Sequence, residues 1–245
     1  LNEDGISWDF RSATAYAFSG SRVFLYGFSN ELQANDWLFS DCARLKAGVV
    51  YKVGFSYRVF DGDYNEHIDF GIASAIDPSA VISILESKED YNNYNYRRAS
   101  YAFMVPQDGN YYFAWHARSP AMRRYFFMDD FSLEKAVGID GSIHDVSIET
   151  TACQVDDETP VLFTLTNLGS ENLPAGQLEI QISGPGNTQS LVASTPQLQT
   201  GEKADIRIKA NMTKYGRYVF NYNLQIPGDL DVTNNQGSRT IYNHR

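Results

Sequence analysis

The stretch VVYKVGFSYRVF, residues 49–60, decides the fold class. Tyr51, Val53, Phe55, Tyr57 and Val59 share one parity, while Lys52, Ser56 and Arg58 share the other. A period of two puts the first set on a buried face and the second on a polar one, as in a half-buried β-strand. The same alternation returns in EHIDFGIA (66–73), YRRASYAFMV (96–105) and NYYFAWHA (110–117), with PQDG (106–109) as a turn between the last two. No stretch keeps a long helical period, and SAVISILES (79–87) is ambiguous between helix and strand.

Aromatic residues divide the chain. Of 34 Phe, Trp and Tyr, 28 precede residue 139 and six follow it. Between the two compositions, EKAVGIDGSIH (134–144) carries two glycines and little periodicity, which suits the end of one domain and a short linker. Strands, short turns and an aromatic core predict a jelly-roll β-sandwich for residues 1–136. After a linker over 137–143, residues 144–245 offer seven strand-like segments separated by turn-rich pieces such as GPGN, which predicts an immunoglobulin-like β-sandwich. The fold class is therefore all-β, with two different sandwiches in series. The two halves are not copies of each other.

Composition narrows the partners. The formal charge is −10. Nucleic acid and anionic lipid both reward a basic surface, so neither is expected as a partner. No apolar run approaches the roughly 20 residues that span a bilayer, so this segment is not expected to insert into a membrane. No leader peptide is visible, and that does not place the protein in the cytoplasm. The two cysteines, Cys42 and Cys153, form neither a disulfide framework nor a metal-ligand spacing, and read as separate buried thiols.

Three segments in order resemble a known family: NDWLFSDCARLKAGVVYKVGFSYRV (35–59), DGNYYFAWHARS (108–119) and FFMDDFSLE (126–134). They look like the jelly-roll domains of secreted bacterial surface proteins, of the cleaved-adhesin and choice-of-anchor type. Those domains are similar in turn to MAM domains and carbohydrate-binding modules. ETPVLFTLTNLGSENLPAG (158–176) and DLDVTNNQ (229–236) resemble CARDB-like modules of cell-surface proteins. The resemblance implies an exported bacterial protein, secreted or at the cell surface. It also implies that the Asp-Asp of YFFMDDFSLEK (125–135) helps hold a structural Ca²⁺ near the chain's start, with Glu3 and Asp4 as the nearest terminal acids.

Strand geometry gives that Asp-Asp pair a physical meaning. Alternation puts Asp129 with Phe127, Phe131 and Leu133, and Asp130 with Phe126 and Met128, so at most one acid faces a given layer. An uncompensated buried carboxylate costs several kcal/mol, which a cation with oxygen ligands would remove. The alternative is one exposed Asp and one paired with Arg123, Arg124 or backbone amides.

The candidate ligand site is YNNYNY (91–96). Tyr91, Tyr94 and Tyr96 offer apolar faces for sugar C–H groups, while Asn92, Asn93 and Asn95 offer polar partners for hydroxyls. The competing assignment makes these tyrosines caps of the sandwich. DGDYNEHID (61–69) starts like a calcium loop, but Glu66 and Ile72 occupy the EF-hand's Gly and acid positions, so it reads as a hairpin loop. His116 reads as a packed or rim residue. There is no HExxH, no GxSxG and no phosphate-cradling glycine loop. The expected role is therefore non-catalytic: a monomeric module that binds a glycan or an extracellular protein through its first domain. The alternative is a structural spacer or accessory module within a larger secreted protein, such as one that carries an enzyme.

Overall fold

The computed structural model describes residues 5–149 and 155–243. Two compact units emerge: Leu1–Val49 with Val53–Glu134, and Val50–Lys52 with Lys135–Arg245. The described residues are all-β apart from one short 3₁₀ turn at Pro78–Ala80, initiated by Asp77.

Among the described residues, ten strands build the first unit. They are β1 (Trp8–Ser12), β2 (Arg22–Tyr26), β3 (Asp36–Phe39), β4 (Ala43–Leu45), β5 (Tyr51–Val59), β6 (Glu66–Ala73), β7 (Val81–Tyr91), β8 (Arg97–Phe103), β9 (Gly109–Ala117) and β10 (Phe126–Lys135). One sheet runs β1-β2-β10-β5-β8, and the other β3-β9-β6-β7 with β4 also paired to β9. The alternation of 51–59 becomes β5, and its five odd-numbered side chains are all buried. Phe55 packs against Phe70 and Trp115, with ring centroids 5.0 and 5.6 Å apart, so the aromatic core lies between the two sheets. The ambiguous 79–87 segment is mostly strand. It enters β7 through the 3₁₀ turn and lies at a sheet edge, where Ile82 and Ile84 are exposed.

Residues 61–65 cross from β5 in one sheet to β6 in the other, not as the hairpin loop expected, and 66–69 already belong to β6; the Asp61 carboxylate accepts from Asp63 N at 3.0 Å. Cys42 is an exposed free thiol, against the buried position expected for it. It falls in the connection between β3 and β4, where alternation gives no protection. Cys153 lies outside the described residues.

The second unit contains β11 (Gly141–Ile148), β12 (Thr159–Asn167), β13 (Gly176–Gly184), β14 (Asn187–Thr195), β15 (Lys203–Ala210), β16 (Gly216–Gln225) and β17 (Gln236–Asn243). They form sheets ordered β11-β12-β15 and β14-β13-β16-β17. Residues 141–143, expected as linker, are already strand. Side chains of both sheets share one core, with Phe163 and Phe220 at its centre. The GPGN turn joins β13 to β14, with Gly184 paired to Asn187 and Gly186 at φ +72°, a conformation that favours glycine.

One buried acid has a measurable consequence. Glu66, at the start of β6, is fully buried. One carboxylate oxygen accepts from Arg124 N at 2.6 Å, and the other has no hydrogen-bond partner. Burial pushes this carboxyl from its ordinary 4.5 to about 7, against the opposing pull of Ser119, the Arg124 amide and the Arg123 charge. Between those values the folded chain keeps a proton that the unfolded chain releases, so Glu66's contribution to stability falls as pH rises through 7. The loss should reach about 3 kcal/mol. Glu66→Gln should remove it, so urea melts of variant and wild type should lie closer at pH 5 than at pH 8, with the variant the more stable at pH 8.

Candidate functional site: an aromatic strip built by an acidic clasp

The Asp-Asp pair does not point into the core. Asp130 takes φ +48°, in the left-handed region where Asp is among the more tolerated residues. That single residue reverses the strand's parity. Before it, Phe126 packs on Tyr57 and Tyr91 in the inter-sheet core. After it, Phe131, 40% exposed, lies with its ring against the core rings Phe113 and Trp115. Regular alternation would have put Phe126 and Phe131 on opposite faces, and the expected grouping of Phe131 with Phe127 is therefore corrected. Asp129 is partly exposed and Asp130 exposed, both turned toward the connection between β1 and β2. Arg98 braces the kink by donating to Asp130 O at 2.6 Å and to Ser132 Oγ.

The two carboxylates fasten that connection down. Asp129 Oδ2 accepts from the amides of Phe18 and Ser19 at 2.8 and 3.2 Å, and its Oδ1 from the Asp130 amide at 2.8 Å. Asp130 Oδ1 accepts from Ser19 Oγ at 2.5 Å. Residues 13–21 thus lie over the outer face of β2 and β10, where Ala13, Ala17 and Tyr96 pack on Val23, Leu25 and Phe127. The buried charge that motivated a cation is absent, and N–H donors already occupy Asp129. The described residues include no group of three or more His, Cys, Asp or Glu able to hold a metal. Glu3 and Asp4, the other two expected ligands, lie outside the described residues.

Above the clasp, rings collect around one cation. Tyr16 stacks on Phe127 at 5.2 Å, and the Tyr96 hydroxyl donates to Tyr16 O at 2.6 Å. Burial, reinforced by the Asp129 and Asp130 charges, pushes that hydroxyl up to about 12, so it remains a donor at neutral pH. Arg58, from the outer parity of β5, lies over four rings: Phe127 at 5.0 Å, Tyr94 at 5.4 Å, and Tyr16 and Tyr96 each at 5.6 Å. Phe18 extends the group beside Tyr96 at 5.2 Å, and Phe60 and Tyr125 extend it past Tyr16. Tyr94 is 61% exposed and Phe18 54%, and Tyr16, Phe60 and Tyr125 are exposed as well. The result is a continuous strip of rings in water on one sheet face.

YNNYNY divides between roles. Tyr94 and Tyr96 belong to the strip, and Asn92 is half-buried next to it. Tyr91 does not belong: it ends β7 at 2% exposure, edge-on to Tyr57 at 4.8 Å, so it is a core ring and no ligand can reach its face. Asn93 is buried too, and its amide donates to Tyr57 O and Asn95 O at 3.1 and 3.0 Å, fixing the bend that turns Tyr94 outward. Sequence reading missed Arg58, Tyr16, Phe18, Phe60 and Tyr125. Only Arg58 left a signal, as a cation on the polar parity of β5.

His116 belongs to a different face. It stacks on Trp37 at 4.2 Å and contacts Asn35 Oδ1 at 2.9 Å and Asp69 Oδ2 at 3.4 Å. Asp69 also accepts from Arg118 and Ser87, and Arg118 pairs with Glu89. Burial lowers the histidine's affinity for a proton, against the pull of Asp69. Every charged group of this polar network on the outer face of the β3-β9-β6-β7 sheet has a partner within it.

No protein-family model matches the chain, and no curated protein matches it. Among solved structures, the K1 cleaved adhesin domain of Lys-gingipain from Porphyromonas gingivalis W83 is similar over 55% of this chain and 88% of that domain, with 16% identity and a TM-score of 0.44. The CBM22-2 xylan-binding domain of Paenibacillus barcinonensis Xyn10C is similar over 55% and 90%, with 12% identity and a TM-score of 0.38. A GH2 β-galacturonidase from Eisenbergiella tayi is similar over 99% of this chain and 43% of its own length, with 11% identity and a TM-score of 0.40. Likenesses of this size carry no argument about residues.

The clasp has a direct test. Asp129→Ala strands two amides of the 13–21 connection and should cost about 1–3 kcal/mol in urea melts. It should also raise amide exchange at Phe18 and Ser19. Melts of the wild type in EDTA and in millimolar calcium decide whether a cation adds to the clasp. Coincident melts leave the amides alone in that role, and a rise of several degrees with calcium brings back a metal completed by Glu3 and Asp4.

Proposed function

We propose that this protein is a non-catalytic binding module whose first unit holds a glycan on the ring strip around Arg58. One observation carries the proposal: Tyr16, Phe18, Phe60, Tyr94 and Tyr125 are all exposed on one face, joined by ring contacts and by the Arg58 cation that lies over Tyr16, Tyr94 and Tyr96. A pure spacer gains nothing from holding five large rings in water, and contiguous exposed apolar surface of this kind marks interaction sites. Pyranose rings present apolar C–H faces between hydroxyl rims, and a line of aromatic rings edged by amides and phenols matches both features.

The site is preformed. The acidic clasp, the Tyr96–Tyr16 hydrogen bond and the Asn93 bend hold the rings in place before any ligand arrives. Preorganisation lowers the ordering cost that weakens most surface binding. No helix among the described residues is long and apolar enough to cross a membrane. We place the module outside the cell, as the ligand class and the acidic surface suit, with the second unit serving as a spacer.

A glycan array on the intact protein tests the reading. Tyr94→Ala should weaken any hit by about 1–2 kcal/mol, roughly 5- to 30-fold. Tyr91→Phe, a conservative change to a buried ring, should leave affinity unchanged. A silent array would overturn the glycan reading and leave the strip to a protein ligand.

A further inference from the structure

Resting on the glycan reading, we infer that the ligand is an acidic sugar whose carboxylate pairs with Arg58. The inference starts from what Arg58 lacks. The chain carries 30 acidic and 20 basic side chains, so carboxylate partners are plentiful. Arg118 pairs with Asp69 and Glu89, and Arg11 with Asp9. Arg58 takes part in none of the ion pairs among the described residues.

Its hydrogen bonds are nearly as few. A guanidinium has five N–H donors. Arg58 Nη1 reaches Tyr94 O at a marginal 3.5 Å, and its buried Nε has no partner. Four ring contacts are a gain, but rings take the cation by its charge and leave the donor fork unused. A partly desolvated guanidinium with free donors is suited to a planar anion, which it can grip through two parallel hydrogen bonds.

The nearby acids do not serve this cation. Asp129 is engaged by three amides, and Asp130 by Ser19 and the neighbouring Arg98 charge. The clasp therefore spends its carboxylates on the 13–21 connection, Asp129 on two of its amides and Asp130 on the Ser19 hydroxyl. Rings for the sugar's C–H faces and a cation for its carboxylate then lie within one strip. Neutral sugars would use the rings and leave Arg58 unsatisfied, which makes the site selective.

The test measures affinity for the intact protein across galacturonate, mannuronate, glucuronate and sialic acid oligosaccharides, each against its carboxyl-reduced form. Sulfated oligosaccharides form a further arm. Wild type, Arg58→Lys and Tyr94→Ala are compared, with melting curves confirming that each is folded. Lysine keeps the charge and the ring contacts but lacks the fork. The expected result is a carboxylated oligosaccharide bound at least tenfold more tightly than its reduced form. That preference should shrink to about twofold or less in Arg58→Lys, and both forms should weaken in Tyr94→Ala. Equal binding of both forms to wild type, lost in Tyr94→Ala, would overturn the acidic-sugar inference and spare the glycan reading. Binding of sulfated sugars alone would also overturn it. Binding of no sugar would overturn both.

Discussion

The acceptance of two backbone amides by Asp129 is the constraint on which the ring strip depends. Residues 13–21 contain no regular structure of their own, and a connection of that length loses much entropy when it is ordered. The carboxylate supplies charge-assisted hydrogen bonds to Phe18 and Ser19, and the Ser19 hydroxyl adds one to Asp130. With the connection held, Tyr16 stacks on Phe127 and meets the Tyr96 hydroxyl. Arg58 then lies over rings contributed by the connection, the β7–β8 bend and β10 together. Without the clasp, two of those elements would lose their common reference.

The strand that makes the clasp also explains where alternation fails as a guide. It located β5, β6, β8 and β9 because their side chains really do alternate between core and outer face. In β10 one left-handed residue shifts the phase, so both carboxylates turn outward and Phe131 turns its ring onto Phe113 and Trp115. A bulge of this kind leaves little trace in composition. The trace it does leave is the Asp itself, since acidic residues tolerate positive φ and rarely occupy strand interiors. Two adjacent acids inside an aromatic strand are better read as a break in phase than as a buried pair.

YNNYNY shows a second limit. Its tyrosines have the same composition and near-equal spacing, yet Tyr91 closes β7 inside the core and Tyr94 stands in water. What separates them is Asn93, whose side-chain amide ties the bend to β5 through Tyr57 O and closes it on Asn95 O. Spacing predicts orientation only while the chain stays in one regular element. Rings from distant parts of the chain, such as Tyr16, Phe60 and Tyr125, could not be grouped before the sheet order β1-β2-β10-β5-β8 was known.

The two outer faces of the first unit differ in how their charges are satisfied. On one, Asp69 accepts from Arg118 and Ser87 and lies against His116, and Glu89 completes the set, so the network closes on itself. A ligand arriving there would have to replace bonds already made, at little net gain. On the other face, the carboxylates are spent on the amides and the Ser19 hydroxyl of the connection, and the one central cation is left with rings. A ligand carrying an anion and an apolar face breaks nothing on arrival and satisfies donors that the fold leaves open. That asymmetry between a closed and an open polar network, rather than the number of rings, is the physical reason for placing recognition on the Arg58 face.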